Sequence, residues 1–184
     1  MKKPLVVVIS GLPCTGKTAL GKRIAREFWL TFFAKDGFKE RLFDELGWSD
    51  RAWSKKLGLA SYKLLFYALE AQLAVGRSCT IEANFYPEFH SRILNDFKQQ
   101  YNCEFFQIYC HTQSEILLER FRARWESGTR HPGHADNVTL PEMEQLVYQE
   151  PFRLELGGTT WDLDTTNFEN LKTDDLFAEL QDHL

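Results

Sequence analysis

The stretch Gly11-Leu-Pro-Cys-Thr-Gly16-Lys17-Thr18 decides how the rest of the chain is interpreted. It follows an apolar, β-branched run at 5–10 and precedes a segment with apolar residues at helical spacing, so it joins a predicted strand to a predicted helix. Its glycines allow a tight turn in which successive amide N–H groups point at one anion. The positive end of the following helix dipole adds to the same place. The stretch therefore predicts a phosphate-binding loop.

The loop matches the pattern Gly-x4-Gly-Lys-Ser/Thr, in which each defined residue has a physical role in binding a nucleoside triphosphate. Lys17 is predicted to bridge the β- and γ-phosphates, and the Thr18 hydroxyl is predicted to hold Mg²⁺. The sequence therefore predicts ATP and Mg²⁺ as cofactors. The predicted nucleotide-binding residues are Gly11, Leu12, Pro13, Cys14, Thr15, Gly16, Lys17, Thr18 and Ala19.

Predicted strands alternate with predicted helices along the chain. Apolar and β-branched runs predict strands at 5–10, 30–34, 79–83, 105–110 and 160–163. Helical spacing, caps and stop signals predict helices at 18–29, 38–46, 50–75, 87–100, 112–126, from 139 onward and at 174–184. With the loop after the first strand, this alternation predicts a three-layer α/β P-loop NTPase fold. Its five-stranded parallel sheet is expected in the order 2-3-1-4-5, flanked by helices.

The composition favours one cytoplasmic domain and argues against a generic nucleic-acid binder, with a local basic patch left open. The 184 residues fit a single domain, 1–184, and 22 basic against 26 acidic side chains give a net charge of -4. The four cysteines lack the paired spacing of a disulfide framework or a zinc ribbon, which favours a reducing compartment. The apolar run at 5–9 imitates a short secretory signal but favours a buried strand, and no stretch is long enough to predict a membrane span.

Three further segments lie beyond the second strand, the third strand and an arginine-rich helix. They are Lys35-Asp36-Gly-Phe-Lys39-Glu, Ile81-Glu82-Ala-Asn84-Phe-Tyr-Pro87-Glu88 and Arg130-His-Pro-Gly-His134. With the glycine loop, they make residues 4–136 resemble the P-loop kinases that include polynucleotide 5′-hydroxyl kinase, chloramphenicol phosphotransferase and zeta-toxin-like sugar-nucleotide kinases. The resemblance implies transfer of the γ-phosphate of ATP to a hydroxyl of a small molecule, a nucleotide or a polynucleotide end. The acidic composition makes the polynucleotide end the least favoured acceptor.

The resemblance also implies a general base and a substrate site. In such kinases an aspartate after the second strand accepts the proton of the acceptor hydroxyl, and Asp36 matches that position. The same position suits an aspartate that caps a helix, and the two roles are compatible. The predicted substrate-binding residues are Asp36, Lys39 and Asn84, although Asn84 is equally explained as a turn residue before Pro87.

Glu82 ends the third predicted strand, at a position where the commonest kinase pattern has an aspartate. The preceding Thr80 also makes this strand less apolar than usual. A carboxylate at the end of this strand can orient a magnesium-bound water or the Thr18 hydroxyl. Thr18 and Glu82 are therefore the predicted Mg²⁺ site, with Glu82 acting through water.

Arg120 and Arg124 share one helical face, and Arg130 lies in the loop beyond it. Like charges so placed repel, and an anionic ligand relieves that repulsion. The resemblance implies an arginine-bearing lid around 112–138, with Arg124 as the arginine finger and the other two as helpers. The alternative is a solvated face neutralised by Glu115, Glu119 and Glu126. The predicted catalytic residues are Asp36, Lys17, Arg124, Arg120 and Arg130.

The segment 128–137 predicts a polar loop that closes as part of the lid. His131 and His134 lack a second spaced ligand pair, so zinc is not favoured. Two alternative functions stay open: a nucleotide-switched regulatory ATPase or ATP-binding module, and a degenerate kinase that binds ATP structurally. A GTPase is not favoured because the chain has no Asn-Lys-x-Asp guanine reader. No feature of the sequence indicates the acceptor's identity or the oligomeric state.

Overall fold

Five parallel strands form one sheet in the computed structural model, which describes residues 2–149 and 153–184. The strands are β1 Leu5–Gly11, β2 Thr31–Ala34, β3 Cys79–Glu82, β4 Glu104–His111 and β5 Thr159–Asp164. Their order is β2-β3-β1-β4-β5, and every neighbouring pair is parallel, which confirms the predicted order. All seven residues of β1 are buried, as expected for the central strand of a sheet that is covered on both faces.

Helices cover both faces of the sheet. They are α1 Lys17–Glu27, α2 Lys35–Leu46, α3 Arg51–Ala74, α4 Pro87–Tyr101, α5 Ser114–Glu126, α6 Asp136–Leu146 and α7 Asp174–His183, with a 3-10 turn at Pro132–His134. None of the described helices combines the length and the apolar character that crossing a bilayer requires.

Alternate residues of β1 supply the two halves of the core. Val6 and Val8 pack toward α3 and α4, whereas Val7 and Ile9 pack toward α1 and α7. Burying each such side chain stabilises the fold by about 1.5–3 kcal/mol. The central strand is therefore a rigid base for the loop that follows it.

The parallel register brings the predicted site residues to one edge of the sheet. Ile9 of β1 and Ala34 of β2 both pair with Glu82 of β3. The carboxyl ends of these three strands therefore lie side by side, and ligands of open α/β sheets bind at that edge. The glycine loop and the start of α2 both follow directly from these strand ends.

Two predicted helix starts are wrong, and tertiary contacts explain both. The helix predicted to begin at Thr112 begins at Ser114 instead, and the Thr112 hydroxyl hydrogen-bonds to the Thr165 hydroxyl at 2.7 Å. α6 begins at Asp136 rather than at Thr139, whose hydroxyl donates to the Asp136 carbonyl within the helix. In both cases a threonine predicted to cap a helix binds elsewhere.

Candidate active site

The backbone of the glycine loop has the conformation that an anion site needs. Gly11 and Gly16 have φ of 135° and 81°, and Cys14 has φ of 67°. A Cβ at Gly11 would lie 2.1 Å from the Cys110 carbonyl oxygen, and one at Gly16 would lie 2.7 Å from the Phe168 ring. The left-handed conformation costs a non-glycine residue such as Cys14 about 1–2 kcal/mol. Strain retained in a loop of this kind fits a backbone arranged to cradle phosphate.

Lys17 lies against its own loop. Its Nζ donates a hydrogen bond to the Leu12 carbonyl at 2.7 Å, and the Thr15 hydroxyl donates to the same oxygen at 2.9 Å. Burial lowers the pKa of Lys17, while the carboxylate of Glu82 opposes that shift. An ammonium held over the loop is placed to meet a phosphate there.

The structure joins Thr18 to Glu82. The Thr18 hydroxyl donates to Glu82 Oε2 at 2.9 Å, across 64 residues of sequence. Glu82 is buried, and its pKa is raised. Burial and the charge of Asp36 outweigh the charge of Lys17 and the hydrogen bond from Thr18, which both lower the pKa. A hydroxyl and a carboxylate at this edge of the sheet are oxygen donors of the kind that Mg²⁺ prefers, and the carboxylate orients the hydroxyl.

We expect Thr18→Val to raise the Mg²⁺ concentration needed for half-maximal activity by about 10–100-fold. Valine keeps the shape of threonine but removes the oxygen that donates to Glu82. The measurement is phosphoryl transfer or ATP hydrolysis as a function of Mg²⁺, with Thr18→Ser as the control that retains a hydroxyl. Unchanged Mg²⁺ dependence in Thr18→Val would contradict a metal role for this residue.

Asp36 lies in the first turn of α2 but does not cap it. Ala34 is the N-cap residue, and no side chain caps this helix. The Asp36 carboxylate instead accepts from Lys35 Nζ at 3.1 Å and from the Arg130 guanidinium at 2.7 Å. Burial acts to raise the pKa of Asp36, but the charges of Lys35 and Arg130 outweigh it and hold the pKa well below its usual range. The carboxylate is therefore ionised at neutral pH.

Arg124 and Arg130 converge on one carboxylate. Both Nε and an amino nitrogen of Arg124 donate to Asp136 Oδ2, at 3.1 Å and 2.8 Å. Arg130 Nε lies 3.4 Å from the same oxygen, and its other end reaches Asp36. The predicted neutralising residues Glu115, Glu119 and Glu126 make no ion pair with these arginines in the described part of the chain.

Arg120 lies apart from the two arginines that converge on Asp136. Its guanidinium donates to the Thr165 and Thr166 carbonyls at 2.9 Å and 2.7 Å, and it stacks 3.8 Å from the Phe168 ring centroid. The helper role predicted for Arg120 beside Arg124 is therefore not supported by the geometry. Although spacing of four residues puts two side chains on one face, it also separates them by a full turn, and the loop after β5 binds the first of them.

The segment between α5 and α6 is attached to α2 rather than free in solvent. His134 is buried, and the ring of Phe43 packs between His131 and His134. Burial, then the charge of Arg130, lower the pKa of His134 to about 2, so the ring is neutral. Its Nδ1 accepts from Arg130 at 3.0 Å, and its Nε2 donates to Glu40 at 3.0 Å. His134 thus orients Arg130. Among the described residues, no cluster of three or more histidine, cysteine, aspartate or glutamate side chains could hold a metal ion.

A family model for the AAA domain matches residues 6–149. The chain belongs to this AAA domain family. The match contains the glycine loop, α2 and the arginines that converge on Asp136. Among curated proteins, none matches the chain.

Solved structures similar to this AAA domain protein include kinases. A candidate kinase from Chloroflexus aurantiacus has 32% sequence identity and a TM-score of 0.93, with all of both chains covered. A gluconokinase from Sinorhizobium meliloti has 16% identity and a TM-score of 0.54, over 98% of this chain and 97% of that one. A sugar kinase from a Janibacter species has 17% identity and a TM-score of 0.55, over 95% and 93%. The two weaker similarities show that this chain shares its fold with the gluconokinase and the sugar kinase.

Two adjoining cavities lie over the sheet edge of the AAA domain protein. One of about 180 Å³ is lined by the glycine loop, Asp36, Glu82 and both converging arginines. The other, of about 220 Å³, extends from Asp36 between α2, α3 and α6. Its lining includes Arg51 and Glu142, which the sequence did not single out as site residues, together with Tyr62 and Tyr86. No local motif marks them, because α3, the end of β3 and α6 meet only in the folded chain.

Proposed function

We propose that this protein is a kinase that moves the γ-phosphoryl group of Mg²⁺-bound ATP to a hydroxyl group of a small molecule. The observation that carries the proposal is the cavity of about 180 Å³, in which a phosphate-binding loop, an ionised aspartate and two arginines line one space. Phosphoryl transfer needs these parts: a cradle for the triphosphate, a base near the acceptor and positive charge around the transferred group. The kinase names of the similar structures support the same class of reaction.

The glycine loop and the Thr18–Glu82 pair would hold the nucleotide and its metal. Loop amides and Lys17 face the position of the phosphates, and the Thr18 hydroxyl, oriented by Glu82, is the oxygen offered to Mg²⁺. When bound, Mg²⁺-ATP supplies the phosphoryl group and neutralises part of its charge. The chain contributes the positions of these groups and a site partly closed to water.

Asp36 would orient the acceptor hydroxyl and take its proton. Its carboxylate borders both cavities, so a hydroxyl bound beside it faces the phosphate-binding loop. Lys35 and Arg130 keep the carboxylate ionised and therefore able to accept a hydrogen bond from the hydroxyl. They also make it a weaker base, so positioning contributes much of its effect.

Arg124 and Arg130 would stabilise the charge on the transferred group, with Arg124 as the arginine finger. We expect Arg124→Ala and Arg130→Ala each to lower kcat by about 10²–10³-fold, because an electrostatic donor to the transition state is lost. Steady-state kinetics with saturating ATP measures this effect. Arg122→Ala is the matched control, since Arg122 lies on the same helix and pairs with Glu144 at the surface. Full turnover in both test variants would remove the arginines from the mechanism.

The acceptor is proposed to be a small molecule rather than a polynucleotide end. The gluconokinase and sugar kinase names support this choice, and so do the net charge of -4 and the size of the 220 Å³ cleft. Acceptors of the polynucleotide kinase, chloramphenicol phosphotransferase and zeta-toxin-like enzymes belong in the same test.

The test is transfer of label from γ-labelled ATP to a panel of acceptors in the presence of Mg²⁺. The panel comprises sugars, sugar acids, nucleosides, sugar nucleotides, aminoglycosides, chloramphenicol and 5′-hydroxyl oligonucleotides, with Asp36→Asn as the control. Label that reaches one class and disappears in the control supports the kinase. If ATP is bound and hydrolysed slowly, but no acceptor is labelled, the regulatory ATPase becomes the better interpretation.

A further inference from the structure

Lys39 is a buried cation without a carboxylate partner among the described residues. It is 5% exposed, and its Nζ donates to the Ser54 hydroxyl at 2.9 Å. That hydroxyl donates in turn to the Gly133 carbonyl at 2.9 Å. Both groups are neutral, so neither balances the charge of Lys39. The Nζ also lies 5.2 Å from the centroid of the Phe43 ring, and neither this ring nor the one neutral oxygen supplies a negative charge to the ammonium group.

Every other cation around the acceptor cleft has a carboxylate partner. Lys35 pairs with Asp36, Arg51 pairs with Glu142, and the two converging arginines share Asp136. Asp36 is near enough to favour the charged form of Lys39, but it is already paired with Lys35 and Arg130. Five cationic and three acidic side chains line the cleft, so positive charge is in excess there, and Lys39 is the cation without a carboxylate partner among the described residues.

This charge is costly to the folded protein. Burial, followed by the charge of Lys35, lowers the pKa of Lys39 to about 8, and Arg51 and Arg130 act in the same direction. Buried charges are ordinarily paired, because desolvation of an unpaired one is expensive. Methionine or leucine would fill the same volume without this cost. An unpaired ammonium in a cleft is explained if a ligand supplies the missing negative charge.

The position of Lys39 relates that ligand to the proposed reaction. Lys39 follows Asp36 by three residues on α2, so the two side chains are neighbours on one helical face. Both line the cleft of about 220 Å³, and Asp36 also borders the phosphate cavity. A small molecule that touches both residues would have an anionic group at one end and a hydroxyl directed at the nucleotide.

We infer that the acceptor is a small hydroxylated anion, whose carboxylate or phosphate group pairs with Lys39 while its hydroxyl lies at Asp36. This inference rests on the proposed kinase activity for the fate of the hydroxyl, but not for the binding of the anion. Lys39 is then a specificity-determining residue, and acceptors without a negative charge bind weakly.

A second cleft beside α2 contains Arg41, the residue whose substitution is the matched control. It is larger, about 570 Å³, and is lined by Arg41 as well as Asp36. Arg41 is exposed and donates to the Gly37 carbonyl of its own helix at 2.8 Å, so its charge is solvated. Arg41→Met therefore removes a cation from the same helix without touching the buried one.

The experiment is calorimetric titration of small anions into protein saturated with Mg²⁺ and a non-hydrolysable ATP analogue, which keeps them out of the phosphate loop. The probes are inorganic phosphate, gluconate and sorbitol; sorbitol has the carbon chain of gluconate without the carboxylate. We expect one or both anions to bind at least tenfold more tightly than sorbitol. Lys39→Met should lose that preference, and Arg41→Met should keep it. Preference for phosphate or for gluconate distinguishes a phosphorylated acceptor from a hydroxy acid.

Two results overturn the inference: neither anion binds the parent protein, or Lys39→Met binds the anion as tightly as the parent does. Failure of the ATP analogue to bind would instead count against the proposed function. Lys39→Met is expected to be at least as resistant to thermal unfolding as the parent, because it removes a buried charge. If Lys39→Met fails to fold, the pH dependence of anion binding by the parent protein tests the inference instead.

The affinity of the parent for either anion should fall as pH rises above 8, while both anions keep a constant charge. The charged groups that face Lys39 are Lys35, Asp36, Arg51 and Arg130. The Lys39 ammonium loses its proton over this range, whereas Asp36 stays ionised and Arg130 keeps its proton. A constant affinity between pH 8 and about pH 10, near the ordinary lysine pKa, would contradict a role for Lys39.

Discussion

Lys17→Met is expected to lower kcat/KM for phosphoryl transfer by about 10³-fold or more, in the range of losses when a charged group is removed from a transferring phosphoryl group. Methionine has a similar length but no charge and no N–H donors. It cannot bridge the phosphates, and it removes the positive charge that most lowers the pKa of the Glu82 carboxylate. ATP affinity should also fall, because the loop amides alone then face the triphosphate.

The measurement pairs steady-state kinetics with direct ATP binding. Lys22→Met is the control, since Lys22 lies on α1, is exposed and does not line the phosphate cavity. Circular dichroism should show that both variants fold alike, because neither lysine contributes to the apolar core. If Lys17→Met retained parental turnover, the glycine loop would not be the catalytic phosphate site.

Asp36→Asn is expected to lower kcat by about 10²–10⁴-fold, the contribution typical of a positioned general base. Asparagine keeps the shape of the side chain but is a poor proton acceptor. It also leaves Lys35 and Arg130 without the negative charge that both of them contact. Binding of ATP should be retained, since Asp36 is not part of the glycine loop.

The kinetic test separates kcat from the KM for ATP, and Asp44→Asn is the control. Asp44 lies on the same helix, is exposed and contacts His131 at 3.3 Å, so its loss tests a change of charge on α2 without loss of the base. A variant Asp36→Asn that binds ATP and transfers phosphate at the parental rate would exclude Asp36 as the base.

The same carboxylate gives a signed prediction for stability. Burial opposes ionisation of Asp36, but Lys35 and Arg130 prevail and its pKa in the folded state is lowered. The native state therefore binds fewer protons than the unfolded state near the ordinary aspartate pKa. The resulting stabilisation is present above that pKa and is lost as pH falls through the lower folded value. The gap in stability between the parent and Asp36→Asn should accordingly shrink at acidic pH in chemical denaturation.

Local sequence signals predicted the main elements of the fold well. The strand, loop and helix around the glycine loop depend on residues close in sequence, and the alternation of strands and helices leaves few sheet topologies. The strand ends then place Thr18, Asp36 and Glu82 at one edge of the sheet, as predicted. Signals that rest on a single hydroxyl were weaker, because Thr112 and Thr139 found partners other than the predicted helix N-terminus.

By itself, the sequence determined the fold class, the phosphate-binding loop and the residues that end the strands, because these follow from local backbone preferences and hydrophobic periodicity. Only the tertiary structure decided which charges are paired. Asp36 and Arg130 meet across 94 residues, and Arg120 is held by the loop after β5 rather than beside Arg124. The sequence predicted Lys39 to bind substrate, but its burial arises only when α2 and α3 pack around it. Ion pairing and desolvation depend on distances that folding creates between remote segments, and no pattern of neighbouring residues encodes them.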